Sequence, residues 1–201
     1  MRKVKESTRE KLIDVSKKLF LKNSIASVTI QDIAVKAKIG EATVYRYFKK
    51  KINLVVACAT SMSEEVTKDY FFNENDTGFE AIKRFYEIYL YVYDKDINYF
   101  KFLNDFDSYI EQESKSPDDE YEDSINTYKE LFLKSYNKGL NDKSIIKIDD
   151  IDTFYYSTTL ALLNLCKKVA KEKSILKSDS LYDGKKVIKN LIDIILKSLK
   201  A

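Results

Sequence analysis

The sequence predicts an all-α protein: a three-helix head at the N-terminus joined to a larger helical body, about nine helices in all. Three observations predict it. Glycine occurs 4 times and proline once in 201 residues, too few chain-breakers for the many turns of an all-β fold. Apolar residues recur at spacings of three and four, the period of a helix with one buried face. Lys, Glu, Leu, Ile and Asp are abundant, as in long amphipathic helices. Hydrophobic residues make up 44% of the chain, enough to build a real core.

The head is read in order. Ser7-Thr8-Arg9-Glu10 has the form of a capping box, with Ser7 as cap and Glu10 reaching back. Leu12, Ile13, Val15, Leu19 and Phe20 then form one apolar stripe, and Asn23-Ser24 is the expected end of that helix. Thr29-Ile30-Gln31-Asp32 is a second box, opening a short helix to about Ala37 that buries Ile33, Ala34 and Ala37. Lys38-Ile39-Gly40 interrupts the pattern. Glu41 to Phe48 forms another short helix, with Val44 and Phe48 as its core pair. Two short helices around a three-residue turn make a helix-turn-helix. Ala34 is small where the helices cross, and Ile39 and Val44 are apolar where the second locks onto the first.

Further helices follow from boundary signals. One runs from Lys51 to about Phe72, ended by Asn73-Glu74-Asn75-Asp76. Thr77 and Glu80 open the next, to about Tyr93, and another covers about Asp96 to Glu113. Ser116-Pro117-Asp118-Asp119, with Pro at the first helical position, starts a helix that ends near Lys138 with Gly139 as its stop. Asp149-Asp150 opens a helix to about Lys171. A linker rich in Ser and Lys leads to the last, about Tyr182 to Leu199. The chain thus divides into a head, 1–50, and a body, 51–201.

Charge and composition narrow the function. Residues 1–54 hold 14 Lys and Arg against 5 Asp and Glu, while 55–201 hold 21 against 27. A basic block ahead of an acidic body is the footprint of a nucleic-acid-binding head. Histidine is absent, which removes imidazole bases, His-containing triads and His-containing zinc sites. No Gly-rich phosphate loop is found, and Cys58 and Cys166 read as reduced core thiols. No metal or cofactor is expected. With no signal-peptide pattern and no apolar run near the ~18 residues of a membrane span, a cytoplasmic protein is expected. An enzyme relying on Tyr and carboxylates is the remaining catalytic alternative.

Within the head, Tyr45 and Tyr47 lie beside Lys49, Lys50 and Lys51, and Tyr hydroxyls and Lys ammoniums are phosphate-contacting groups. Thr29 and Lys51 sit near helix N-termini, where unpaired N–H groups also attract phosphate. The second short helix is the natural major-groove reader, led by Gly40, Glu41, Ala42 and Thr43. Glu41 either favours its helix N-terminus electrostatically or accepts a hydrogen bond from a cytosine amino group.

The stretches Thr29-Ile30-Gln31-Asp32-Ile33-Ala34, Ala42-Thr43-Val44-Tyr45-Arg46-Tyr47-Phe48 and Lys51-x-x-Leu54 resemble the DNA-binding head of the TetR family, over roughly residues 7–55. The resemblance implies a dimeric transcriptional regulator, most often a repressor released from double-stranded DNA by a small-molecule effector. It implies that Thr29, Thr43, Tyr45, Tyr47 and Lys51 position the DNA backbone, with Gly40, Glu41, Ala42 and Arg46 as candidate base readers. In one departure, Lys38 stands where the family's turn usually has Gly; a left-handed backbone there would cost a Lys about 1 kcal/mol.

Residues 70–109 contain 14 Tyr or Phe among 40 positions. Each fills core, but buried hydroxyls at this density need partners. The resemblance implies an effector cavity in the body, with Tyr86, Tyr89, Tyr93, Phe106 and Tyr128 as candidate lining. Aromatic walls near Glu87, Asp105 and Asp107 would suit a flat aromatic or a cationic effector; a neutral aromatic or lipid-like compound is the alternative. Regulation without any effector is the rival reading. The last two helices each carry wide apolar stripes, and Phe154, Thr158, Leu162, Leu191 and Ile195 are the candidate homodimer contacts.

Overall fold

The computed structural model describes residues 2–67, 73, 75–113, 120–171 and 183–201. Among them every regular segment is a helix: α1 (Arg2–Lys22), α2 (Ile30–Ala37), α3 (Glu41–Phe48), α4 (Lys51–Thr67), α5 (Gly78–Lys95), α6 (Ile97–Gln112), α7 (Glu120–Asn141), α8 (Ile151–Lys171) and α9 (Gly184–Lys197). One isolated antiparallel bridge joins Ile145 to Lys200. None of these helices is long and apolar enough to cross a membrane. No group of His, Cys, Asp and Glu among the described residues is arranged to hold a metal ion.

Several boundaries follow the sequence. Thr29 and Thr77 cap α2 and α5 in reciprocal boxes with Asp32 and Glu80, and Asp150 accepts from the Thr153 amide at 2.9 Å at the start of α8. Two expectations are corrected. Ser7 lies inside α1, which continues back to Arg2, because Arg, Lys and Glu upstream are good helix formers and need no cap at Ser7. Gly139 does not stop α7, which runs on to Asn141. Its lack of a side chain serves packing: a Cβ on Gly139 would lie 2.3 Å from the Ile145 Cδ1. The left-handed residue that follows α7 is Lys143, at φ 60°. The expected end of the fourth helix at Phe72, the Ser116–Asp119 start signal, the Ser- and Lys-rich linker and the Tyr182 start lie outside the described residues.

The chain forms two compact units, Met1–Glu65 with Lys101–Glu122, and Val66–Phe100 with Asp123–Ala201. These units are drawn differently from the head and body read at residue 50. Most of α4 packs in the first, where Leu54, Val55, Cys58 and Met62 are buried. Burial pushes the Cys58 thiol far above its usual range. Lys17 of α1 is buried too; its ammonium meets Glu65 at 2.6 Å, Asp14 at 3.1 Å and the Ser61 hydroxyl at 3.2 Å. Burial works against that charge, but Glu65 and Asp14 more than offset it and hold the Lys17 pKa above its usual value. The α6 residues Phe102 and Phe106 stack at 6.2 Å, with Phe20 of α1 6.5 Å from Phe102.

In the second unit an aromatic cluster joins α5, α7 and α8. Phe132 lies 5.4 Å from Phe85, 6.1 Å from Tyr86 and 5.0 Å from Tyr155, ring centre to ring centre. Thr158 donates to the Phe154 carbonyl at 2.7 Å. A hydroxyl has one proton, so Tyr86 is the donor in its 2.6 Å bond to Thr158. Cys166, buried on α8, has its thiol pushed up to about 12 by desolvation.

Candidate nucleic-acid interface

The reading helix is fixed from behind. Ile33, Ala34 and Ala37 of α2 and Val44 and Phe48 of α3 are buried, and the Arg9 guanidinium covers the Phe48 ring at 5.5 Å. Between the helices, Lys38 adopts the left-handed conformation, φ 55° and ψ 46°. This lets the Ile39 amide donate back to the Ala34 carbonyl at 3.0 Å, closing α2 as glycine-type C-caps do. Gly40 caps α3 with an ordinary extended backbone, φ −68°, and a Cβ there would meet nothing within 4 Å. The space ahead of the helix is open.

With Val44 and Phe48 turned inward, helical geometry turns Glu41, Ala42, Tyr45 and Arg46 outward, and Lys49, the C-cap at φ 55°, follows them. All five are exposed, and Tyr45 keeps 48% of its surface free. Thr43 and Tyr47 flank this stripe, half-buried. The Arg46 guanidinium lies 5.6 Å from the Tyr47 ring centre. Lys36, Lys38 and Lys50 are exposed on the same two helices and their ends. The structure therefore brings together seven of the nine expected DNA-contacting residues on one surface.

Thr29 and Lys51 have different surroundings from those expected. The Thr29 hydroxyl donates to Asp32 at 2.6 Å and accepts from the Asp32 amide at 3.1 Å, while the Thr29 amide donates to the same carboxylate at 2.8 Å. The Thr29 hydroxyl holds the Asp32 carboxyl below its ordinary range. Both Thr29 donors are engaged, so this end of α2 presents to an anion the amides of Ile30 and Gln31. The Lys51 ammonium donates to the carbonyls of Ile25 and, at 3.3 Å, Ala26, and lies 4.9 Å from the Tyr109 ring centre. Desolvation lowers its pKa. Asp105 of α6 accepts from the Ile25 amide at 2.6 Å. The corner between α1 and α2 is thus clasped on its carbonyl side by α4 and on its amide side by α6. Sequence reading missed Asp105 in this part: 80 residues separate it from Ile25, and no local pattern marks it.

The expected effector residues do not form one group. Phe106 is core of the first unit, stacked on Phe102. In the second unit Tyr86 is fully buried and bonded to Thr158, while Tyr89, Tyr93 and Tyr128 are half-buried. Burial raises the Tyr89 hydroxyl well above its usual pKa, with Tyr155, Cys166, Tyr86 and Tyr99 adding to the effect. Among the described residues the Tyr89 hydroxyl has no hydrogen bond. Two of the carboxylates considered for a cationic effector are engaged elsewhere: Glu87 pairs with Lys83 at 3.7 Å and Asp105 holds the head corner.

Three of the five candidate dimer contacts face inward. Leu162 and Ile195 are buried within the protomer, and Thr158 bonds Tyr86. Phe154 and Leu191 are half-buried. The apolar face left open on these helices is the neighbouring one. Tyr156 (46% exposed) and Leu160 (54%) on α8 and Ile194 (54%) on α9 are the most exposed, with Leu163, Val187 and Leu191 beside them. Of the five expected contacts Leu191 borders this open face, and the sequence did not single out Tyr156, Leu160 or Ile194.

Residues 12–58 match the family model described as bacterial regulatory proteins, tetR family. No curated protein matches the chain. Solved structures match over nearly its whole length. A TetR transcriptional regulator from Rhodococcus sp. RHA1 is 12% identical and superposes with a TM-score of 0.66, covering 99% of this chain and 100% of that one. A TetR-family regulator from Haemophilus influenzae Rd is 14% identical, with a TM-score of 0.63 and coverages of 98% and 99%. TylP, a TetR regulator from Streptomyces fradiae, is 12% identical, with a TM-score of 0.64 and coverages of 98% and 88%. At such identities the likeness is one of fold. Residues 12–58 thus carry a DNA-binding head of the tetR-family type, and the chain as a whole shares the fold of these TetR regulators.

Proposed function

We propose that the protein is a repressor that binds a palindromic operator as a homodimer and is released by a small-molecule effector. The observation that carries the reading is the exposed stripe Glu41, Ala42, Tyr45, Arg46 and Lys49 on a helix locked from behind by Val44 and Phe48. A rigid short helix with such a face fits the major groove. In this reading residues 1–50 bind DNA and residues 51–201 bind the effector and the second copy, in the cytoplasm where the DNA is. The second copy is drawn by the open apolar face of α8 and α9, which a two-fold axis would bury against itself. The reading is that of a regulator rather than an enzyme.

The effector in this reading is an uncharged or aromatic compound carrying a hydrogen-bond acceptor. Support comes from the aromatic cluster of α5, α7 and α8 and from the Tyr89 hydroxyl, which has no hydrogen bond among the described residues, while Glu87 and Asp105 are engaged elsewhere. Because α4 and α6 both hold the Ile25–Ala26 corner, a shift of either helix is felt in the head. A coupling of ~1–3 kcal/mol would change operator occupancy many-fold.

Fluorescence anisotropy on DNA from upstream of the protein's own gene, over a range of salt, tests the DNA part. Tight, salt-sensitive binding lost in a Tyr45→Ala, Arg46→Ala variant is expected. Absence of even non-specific binding at low salt would sink the reading.

A further inference from the structure

We infer that Glu41 selects a cytosine in each half-site of the operator, an inference that rests on the DNA-binding reading of the head. Glu41 is the sole acid of α3, in the most basic part of the chain. A carboxylate facing a polyanion needs a local reason. Three are available: an ion pair within the protein, a cap on the helix, or a donor on the DNA.

The first is absent, and the second is electrostatic only: Glu41 stands in the first turn of α3, where its charge favours the helix N-terminus, but it makes no capping bond there and both its oxygens stay free to accept. Among the described residues Glu41 takes part in no hydrogen bond and no ion pair. The other acids near it show what engagement looks like. Asp32 closes a reciprocal capping box with Thr29, Asp14 meets Lys17 at 3.1 Å, and Asp105 holds the Ile25 amide. Gly40, the N-cap of α3, has no side chain, and the first amides of α3 receive no carboxylate oxygen. The Arg46 guanidinium lies over Tyr47 and leaves Glu41 unpaired. The space around Gly40 is open and Glu41 is exposed next to it, at the N-terminal end of α3.

The third reason fixes the base. An ionised carboxylate only accepts. On the major-groove edges, guanine offers two acceptors and thymine one acceptor with a methyl group. Adenine offers a donor beside an acceptor, and cytosine a donor alone. Of the two bases with an amino group there, cytosine has no acceptor of its own beside it, whereas the adenine N7 would repel the second carboxylate oxygen.

The experiment is selection of binding sites from a randomised duplex pool by the full chain, by Glu41→Gln and by Glu41→Ala. Affinities for the selected site and for its single-base variants are then measured over a range of salt. The unaltered chain is expected to select an invariant cytosine at one half-site position and to lose about tenfold or more in affinity when that base pair is changed. Glu41→Gln is expected to move the preference to adenine, whose N6 and N7 an amide matches bidentately. Glu41→Ala should lose the preference at that position alone, with the salt dependence unchanged. The same preference in all three proteins would overturn the inference while leaving the regulator reading intact. So would a uniform tightening on every DNA in Glu41→Ala, which would make Glu41 a mere repulsive charge. Failure of the unaltered chain to bind any DNA at low salt would overturn both.

Discussion

Replacing Lys38 by Gly should stabilise the head. Lys38 sits at φ 55°, ψ 46°, between the two helices of the helix-turn-helix. A side chain with a Cβ costs roughly 1–2 kcal/mol in that conformation. Glycine removes the cost but loses more chain entropy on folding, roughly 0.5–1 kcal/mol. The net gain is therefore about 0.5–1 kcal/mol. The control is Lys36→Gly, two residues back in the last turn of α2 and exposed, where the same change should cost up to roughly 0.7 kcal/mol. The two substitutions remove the same charge from neighbouring exposed positions, so a charge effect would act alike on both. Thermal unfolding followed by circular dichroism separates them, since 1 kcal/mol moves the midpoint by about 2–4 °C in a domain of this size. Lys38→Asn, which tolerates the left-handed region, should fall between lysine and glycine. If Lys38→Gly destabilised as much as Lys36→Gly, the left-handed turn would be refuted.

Three further outcomes are expected. Lys51→Met keeps the apolar stem but strands the Ile25 and Ala26 carbonyls; it should cost about 1–3 kcal/mol in stability and leave the salt slope of DNA binding unchanged, whereas a slope lower by about one would make Lys51 a phosphate contact. Hydrogen bonds from Thr29, Arg84, Thr77, Ser144 and Thr153 hold Asp32, Asp76, Glu80, Asp142 and Asp150 below their ordinary pKa values. Stability from these groups is present above the unfolded carboxylate range near pH 4 and is lost as pH falls through the depressed folded values. Asp32→Asn should thus lower the melting temperature at pH 7, with the difference shrinking at pH 2–3; a constant difference would contradict the linkage. Both thiols are buried and held high by desolvation, so the native protein should resist a disulfide reagent at pH 8 and release two equivalents once denatured, and rapid native reaction would argue against their burial.

Much of the head was legible because its signals are local. A threonine followed three residues later by a carboxylate writes a capping box, and Val44 with Phe48 writes an inward face. The same rules name the outward stripe without coordinates. Legibility ends where a partner lies far along the chain. Asp105 reads as a carboxylate near the effector site until Ile25 is placed beside it, and no local pattern shows that the Lys51 ammonium also holds two carbonyls. Gly139 looks like a helix stop because glycine usually is one; the Ile145 side chain packed where its Cβ would stand gives it another reason to exist. On α8 and α9 two apolar stripes compete, and periodicity alone cannot say which neighbour takes which.

The clasp on the Ile25–Ala26 corner bears on how such regulators are recombined. Its carbonyl side is held by residue 51 and its amide side by residue 105. A chimaera cut at residue 50, the natural seam on paper, would arrive in its new host with neither anchor, its recognition surface intact but its mounting gone. A transplantable cassette needs α4 and α6 carried along, or a recipient that already supplies a lysine and an aspartate at those two places.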